Sequence, residues 1–344
     1  MVEFKLRTKI IFLSVVALIG MSIFAFFNLK QSFDEYSISK GMKNASQLLA
    51  SASSLVHEMQ KERGSSSLFI SESMSESDLN DFRRKSDFKI EEFLKVVASS
   101  NLKEEQKKTV QEDIEKIKPL RIDVDKKIPV TECIPRYAEI IRSILKIEGA
   151  VASLKTTRGV GKLFVNISIL EEAKENAGRL RASLSSILAK NQAVDVELLG
   201  KVVMLKSGVD SNLGSPALSI SEKSKEQLKL LLSSENAQKV NDIFYKVISK
   251  SNSGNFSEDP VLFFKTISSF IDGINQIIND EVLSINVQLD SILADTQRSF
   301  ITVSGISGLF ILIVLIIAIK ISTSIARIIS RLNSETKSII KAAK

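Results

Sequence analysis

Arg63 is the residue whose type is hardest to reconcile with its position. An apolar stripe runs Met42, Ala45, Leu49, Ala52, Val56, Met59 in alternating steps of three and four. That is the spacing of a helix burying one face in a bundle or coiled coil. Continuing it by four and then three lands on Arg63 and Ser66, and then on Ile70. A guanidinium at a core position needs a carboxylate or a bound anion, because an unpaired buried charge is costly. Arginine suits an anion well, since its planar fork donates to two oxygens of a planar oxyanion at once. Gly64 and the hydroxyls of Ser65, Ser66 and Ser67 follow directly, leaving space and offering further donors. An internal salt bridge, for example to Glu62 of a second copy of the chain, is the competing reading.

Arg181 is the second candidate. It lies beside Leu180 on the edge of the stripe Leu170, Ala173, Ala177, Leu180, Leu184, Ile187. Gly178, one turn earlier, removes a side chain next to the guanidinium; the alternative is a partly solvated rim arginine. The rest of the chemical inventory is thin. One cysteine and one histidine exclude a disulfide framework and multi-cysteine metal sites, and leave little for acid–base catalysis. There is no nucleophile–base pair and no metal constellation, so the expectation is a protein that is not an enzyme and needs no cofactor or metal. His57 reads as a surface or rim residue. Cys133 reads as a free thiol near a helix start, with an intermolecular bridge open to it in a dimer.

The elements that must carry these residues are helices. The 344 residues include 14 Gly and 5 Pro, too few for a sandwich or barrel. A third stripe runs Ile267, Ile271, Ile274, Ile278, Val282, Ile285, Leu289, Ile292, and no proline follows it. Pro119, Pro129, Pro135, Pro216 and Pro260 fall between such stretches as punctuation. Residues 71–77 and 251–258 read as turns, and 207–215, with two glycines, as a loop. The fold class is all-α, with helices packed as bundles.

The net charge of +7 resides in two tails. Residues 1–9 carry a net +2 and residues 320–344 a net +5, so the basicity marks topology and gives no nucleic-acid footprint. The tails flank uncharged runs of 18 residues, Ile10 to Phe27, and 20 residues, Phe300 to Ile319, each near the length that crosses a bilayer as a helix. A cleaved secretory signal is the alternative for the first, but phenylalanines crowd its end where a small-x-small site belongs. The expected division is therefore a cytoplasmic tail at 1–9, transmembrane helices at 10–27 and 300–319, an outer domain at 28–299 and a cytoplasmic segment at 320–344. Both termini are expected on the cytoplasmic side of a bacterial plasma membrane.

At this level the residues resemble a family. Glu58 to Ser67 (EMQKERGSSS) is similar to the Leu-Gln-x-Glu-Arg-Gly-x-Ser signature of the nitrate- and nitrite-sensing (NIT) domain. Arg84 and Asp87 match its Arg-x-x-Asp, Lys174 to Ala182 (KENAGRLRA) its Lys-Glu-x-x-Gly-x-x-Arg-Ala, and Phe263 to Thr266 with Ile271-Asp272 its segment before the exit helix. The matches keep family order over about residues 42–285. The resemblance implies two stacked four-helix bundles, with nitrate or nitrite between arginines from both. It carries that role onto Arg63 and Arg181, with Gly64 and Gly178 allowing close approach and Ser67 assisting. The chain departs from the family where Arg179-Leu180 stands for the commoner Gln-Glu and Phe263 for Trp. Residues 322–333 resemble the first helix of a HAMP relay module, too short for the helix–connector–helix pair.

The expected function is a membrane-anchored, dimeric sensory receptor of the methyl-accepting chemotaxis type. It binds nitrate, nitrite or another small oxyanion outside and signals through the second span to cytoplasmic proteins. A membrane-tethered helical scaffold that oligomerises or recruits partners without sensing a ligand is the alternative.

Overall fold

Every residue of the three apolar stripes is buried, and each stripe lies on one long helix. The computed structural model describes the backbone of residues 2–152 and 155–342. Side chains are described except at 1–14, 17, 148, 150, 152–154, 318, 322, 325, 326, 329, 333, 337 and 340–344. Among the described residues there are ten helices and no strand. In chain order they are α1 (Val2–Ile70), α2 (Glu76–Ser99), α3 (Glu104–Glu115), α4 (Ile117–Asp125), α5 (Val130–Ala152), α6 (Val160–Lys190), α7 (Val196–Leu213), α8 (Glu222–Leu232), α9 (Glu235–Ser249) and α10 (Pro260–Ala342). The order repeats one plan: a long helix, a second helix, a third broken in two, and another long helix.

Local chemistry sets most boundaries. Ser75, Asp195, Ser221 and Ser234 each accept a backbone N–H in the first turn of α2, α7, α8 and α9, satisfying donors that helix geometry leaves free. The turn expected at 251–258 falls between helices, and that expected at 71–77 does so only to Ser75, because Glu76 and Ser77 already belong to α2. The loop expected at 207–215 does not: α7 runs through to Leu213, and Gly208 is a packing glycine. A Cβ there would lie 2.7 Å from Asn176 Nδ2 of α6, so its absence lets the two helices approach. Pro135 is likewise inside α5 and not between elements, whose first turn hangs on the Pro129 carbonyl, accepting from Glu132 and Cys133.

The chain divides into two units. The larger, Lys40–Asp290, is organised around α6, which is buried on nearly all sides, charged residues included. It packs on α5 and α7 and bonds to α1 and α10 through the contacts described below. On one side Glu62 of α1 ties α1 to α4 and α5. Arg121 donates to both its oxygens at 2.7 and 2.9 Å, and Tyr137 adds a hydrogen bond at 2.8 Å. Arg121 also reaches Asp87 of α2 at 2.6 Å. Burial acts to lower the Arg121 pKa, but Glu62 and Asp87 outweigh it and hold it above its usual value. On the other side Asp280 of α10 receives Gln227 and Lys223 of α8 at 2.8 Å each.

The smaller unit comprises Met1–Ser39 and Ser291–Lys344, the N-terminal part of α1 and the C-terminal part of α10. The Phe300 ring stacks on Tyr36 at 5.8 Å and meets Phe33 at 5.7 Å. Most of the unit's described large apolar side chains are exposed, among them Phe24, Phe26, Phe27, Ile306, Leu309 and Leu312. One helix among the described residues, within Pro260–Ile321, is long and apolar enough to cross a membrane. Its most apolar window has a mean hydropathy of 2.7 and is 6% buried, which a helix buried in a soluble core would not be. The 1–9 tail and residues 10–14 and 17 of the expected first span lie outside the described side chains.

Candidate functional site

Where α1, α6 and α10 meet, two arginines face opposite glycines. Arg63 projects from α1 over Gly178 of α6, where a Cβ would stand 2.6 Å from its Nη2. Arg181 projects from α6 over Gly64 of α1. A Cβ there would stand 2.9 Å from Arg181 Nη2 and 2.8 Å from the Phe264 ring. Each missing side chain makes the space that the other helix's guanidinium fills. The structure thus brings together Arg63, Arg181, Gly64 and Gly178. Ser67 is not part of the cluster's donor set: its hydroxyl donates to the Arg63 carbonyl at 3.0 Å, one turn back on its own helix. Ser66 is hydrogen-bonded to Tyr137 at 3.1 Å.

The two guanidiniums are held differently. Arg63 is fully buried, and its Nη1 and Nη2 donate to the two oxygens of Glu175 at 2.7 and 3.1 Å. Gln60 Nε2 adds a third donor to the same carboxylate at 2.9 Å. The internal salt bridge weighed from sequence therefore exists, with Glu175 of α6 as the partner; Glu62 belongs to Arg121. Arg181, also buried, has no carboxylate in contact among the described residues. It donates to Ser268 Oγ at 2.8 Å and to the Gln60 backbone carbonyl at 2.9 Å, and its guanidinium carbon lies 4.6 Å from the Phe264 ring centre. Such a cation–π contact offsets part of the desolvation. Burial and the charge of Arg63 lower its pKa to about 10, against the pull of Asp272 and Glu175. The Nε atoms of both arginines and Gln60 Oε1 have no hydrogen-bond partner among the described residues.

The surroundings are rich in cations. Lys174, fully buried one turn along α6, pairs with Glu171 at 2.9 Å and donates to Asn275 of α10 at 3.1 Å, while Ser53 of α1 bonds Glu171. His57 is half-buried, its Nε2 3.8 Å from Asp272. Burial and then the charges of Lys174, Lys61 and Arg181 push its pKa from 6.5 down to about 2, so the imidazole stays neutral. Cys133 is buried, and burial raises its thiol to about 12. It is thus a poor thiolate with no surface for an intermolecular bridge. No group of three or more metal-ligating residues exists among the described residues.

Sequence reasoning missed Gln60, Glu175, Phe264 and Ser268. Each lies inside or just after a motif that carried the resemblance, but helical period does not say which carboxylate on another helix an arginine meets. Arg84 and Asp87 separate: Asp87 joins the Arg121–Glu62 network, whereas Arg84 pairs on the surface with Asp81.

The described residues thus form an all-helical bundle that holds two buried, glycine-seated arginines, of which Arg181 contacts no described carboxylate. The family described as nitrate and nitrite sensing, NIT, matches residues 54–283, two thirds of the chain, and the chain belongs to that family. A solved structure described as that of the NasR transcription antiterminator has a similar fold, with a TM-score of 0.67 and 16% identity over 85% of this chain and 83% of that one. At that identity the likeness is one of fold alone. No curated protein matches the chain.

The depressed His57 pKa has a consequence for stability. Below pH 6.5 the unfolded chain takes up a proton that the folded imidazole refuses, so acid favours unfolding, by at most about 1.4 kcal/mol per pH unit. Thermal unfolding of the full chain in detergent should show a midpoint that falls between pH 6.5 and 5. The fall should be shallower in His57→Gln; equal slopes would mean His57 is protonated in the folded state.

Proposed function

We propose that the chain is a membrane-anchored sensory receptor whose Arg63 and Arg181 bind nitrate or nitrite. The observation that carries this reading is Arg181, a buried guanidinium with, among the described residues, no carboxylate in contact and no partner for its Nε. It is seated on a glycine across from a second arginine. Such a charge is stabilised by an anion, and a planar oxyanion satisfies two guanidinium forks together. Gly64 and Gly178 leave the space in which the two guanidiniums are seated. Family membership supports nitrate or nitrite as the anion.

The membrane part of the proposal rests on sequence. The spans are 10–27 and 300–319, residues 28–299 form the outer sensor of two stacked four-helix bundles, and the tails at 1–9 and 320–344 are cytoplasmic. The apolar, little-buried window of α10 supports the second span. A homodimer in the lipid bilayer is part of the proposal on the sequence pattern alone, since the long stripes on α1 and α10 are buried within one chain and leave no free seam. α10 runs unbroken from Pro260 to Ala342, so a ligand that favours one helix packing over another would shift this element directly. The signal would pass through the HAMP-like segment to cytoplasmic, chemotaxis-type proteins. Such signalling requires different affinities for the two packings.

Calorimetric titration of the full chain with nitrate tests the site. Charge-assisted hydrogen bonds contribute about 1.5–3 kcal/mol each, so Arg63→Ala or Arg181→Ala should weaken binding by about one to two orders of magnitude. Arg181→Lys should rescue poorly, because a point charge does not reproduce the fork. Nitrate and nitrite should outcompete sulfate, a dianion with a larger desolvation cost. Absence of saturable nitrate binding would favour the scaffold reading. Topology is tested separately. A reporter fused after Lys344 should be active on the cytoplasmic side, and activity only outside would contradict the proposed orientation.

A further inference from the structure

We infer that Glu175 occupies the ligand's seat on Arg63, and that Arg179 is the cation that receives Glu175 when an oxyanion displaces it. The inference rests on the nitrate site proposed above and concerns how occupancy of that site is set.

The seat is built for a planar anion. Arg63 gives two parallel donors, and Gln60 Nε2 supplies a third. A carboxylate presents two oxygens in a plane, at nearly the spacing of two oxygens of nitrate, so the same donors serve either. Glu175 is tethered and always present, so a free anion has to compete with it. Arg181 makes the competition winnable. It is buried beside the pair and, among the described residues, has no carboxylate contact and no partner for its Nε. An anion between the two arginines satisfies both, whereas Glu175 hydrogen-bonds only one.

Displacement requires somewhere for the carboxylate to go. Glu175 is 6% exposed, and a buried charge without a partner would oppose its own release. Arg179 lies four residues further along α6, where the acid precedes the base, the favourable order for a helical pair. It is half-buried and carries no ion pair among the described residues. Burial lowers its pKa, as do Arg63 and Arg142, while Glu175 is the larger of the acidic charges acting against that. Arg179 is thus a cation with no ion pair among the described residues, within one turn of an acid about to lose its own. The exchange breaks the Arg63–Glu175 tie between α1 and α6 and replaces it with a pair internal to α6. Arg179 is a positioning residue here and does not touch the ligand.

The test is nitrate titration of the full chain in detergent for the wild type, Glu175→Gln, Glu175→Asp, Arg179→Gln and Glu175→Gln/Arg179→Gln, with Arg63→Ala as reference. Glu175→Gln should bind nitrate about tenfold more tightly. Glu175→Asp keeps the charge but shortens the arm that spans the fork. It should bind severalfold more tightly, which simple repulsion between two anions would not produce. Arg179→Gln should bind about fivefold more weakly. In the double variant that loss should disappear, because Arg179 acts only through Glu175; a long-range attraction by Arg179 would survive. Should Glu175→Gln not fold, the opposite shifts of Glu175→Asp and Arg179→Gln decide the matter. If the wild type binds nitrate through Arg63 and neither Glu175 variant binds more tightly, the displacement is wrong and the site stands. If neither the wild type nor any Glu175 variant binds, the site itself is wrong, and the inference falls with it.

Discussion

The bidentate pair between Arg63 and Glu175 is the constraint around which the larger unit is arranged. It joins α1 to α6, and Gly64 and Gly178 stand there where a Cβ would meet a guanidinium. A buried ion pair of this kind is weak evidence of stabilisation, since desolvation offsets much of the Coulomb gain. What it provides is register. Sliding α1 along α6 by a turn would leave both arginines against Cβ atoms and Glu175 without a donor.

Register at this crossing propagates outward because neighbouring residues point to different partners. Glu62 adjoins Arg63 in sequence but faces Arg121 and Tyr137, linking α1 to α4 and α5 and, through Asp87, to α2. On α6, Lys174 adjoins Glu175 but reaches Asn275 of α10, as Arg181 reaches Ser268. Further along α1, Ser46 and Lys43 donate to Asn286 of α10. Polar ties thus recur along the α1–α6–α10 core between layers of Leu, Ile, Val and Ala. An apolar core alone would tolerate small slips among these three helices; hydrogen-bonded groups that lose partners on slipping do not.

How much of this was readable beforehand depends on the range of the interaction. The apolar stripes on α1, α6 and α10 are local periodicities, and each of their residues is buried. The same period placed Arg63 in the core, where it is. Arg181, read as an edge residue, is buried because α10 covers it with Phe264 and Ser268, a contact across 87 residues to Ser268 that no local pattern encodes. Glu175 was quoted within a motif, yet its pairing with Arg63 spans 112 residues. Gly208 was misread for a different reason. A glycine that serves close helix packing and one that ends a helix look alike until the opposing Asn176 is known. Ser67, expected to assist at the ligand, donates its hydroxyl to the Arg63 carbonyl within its own helix, a local bond that its place in the motif did not reveal.

The central claim is that one planar anion and Glu175 are alternative occupants of the Arg63 fork. The most direct measurement is a structure of the chain determined with nitrate bound. The account expects the anion in hydrogen-bond contact with both Arg63 and Arg181, and the Glu175 carboxylate withdrawn from Arg63. Nitrate bound elsewhere, with Glu175 still bidentate on Arg63 at the 2.7 and 3.1 Å seen here, would contradict it.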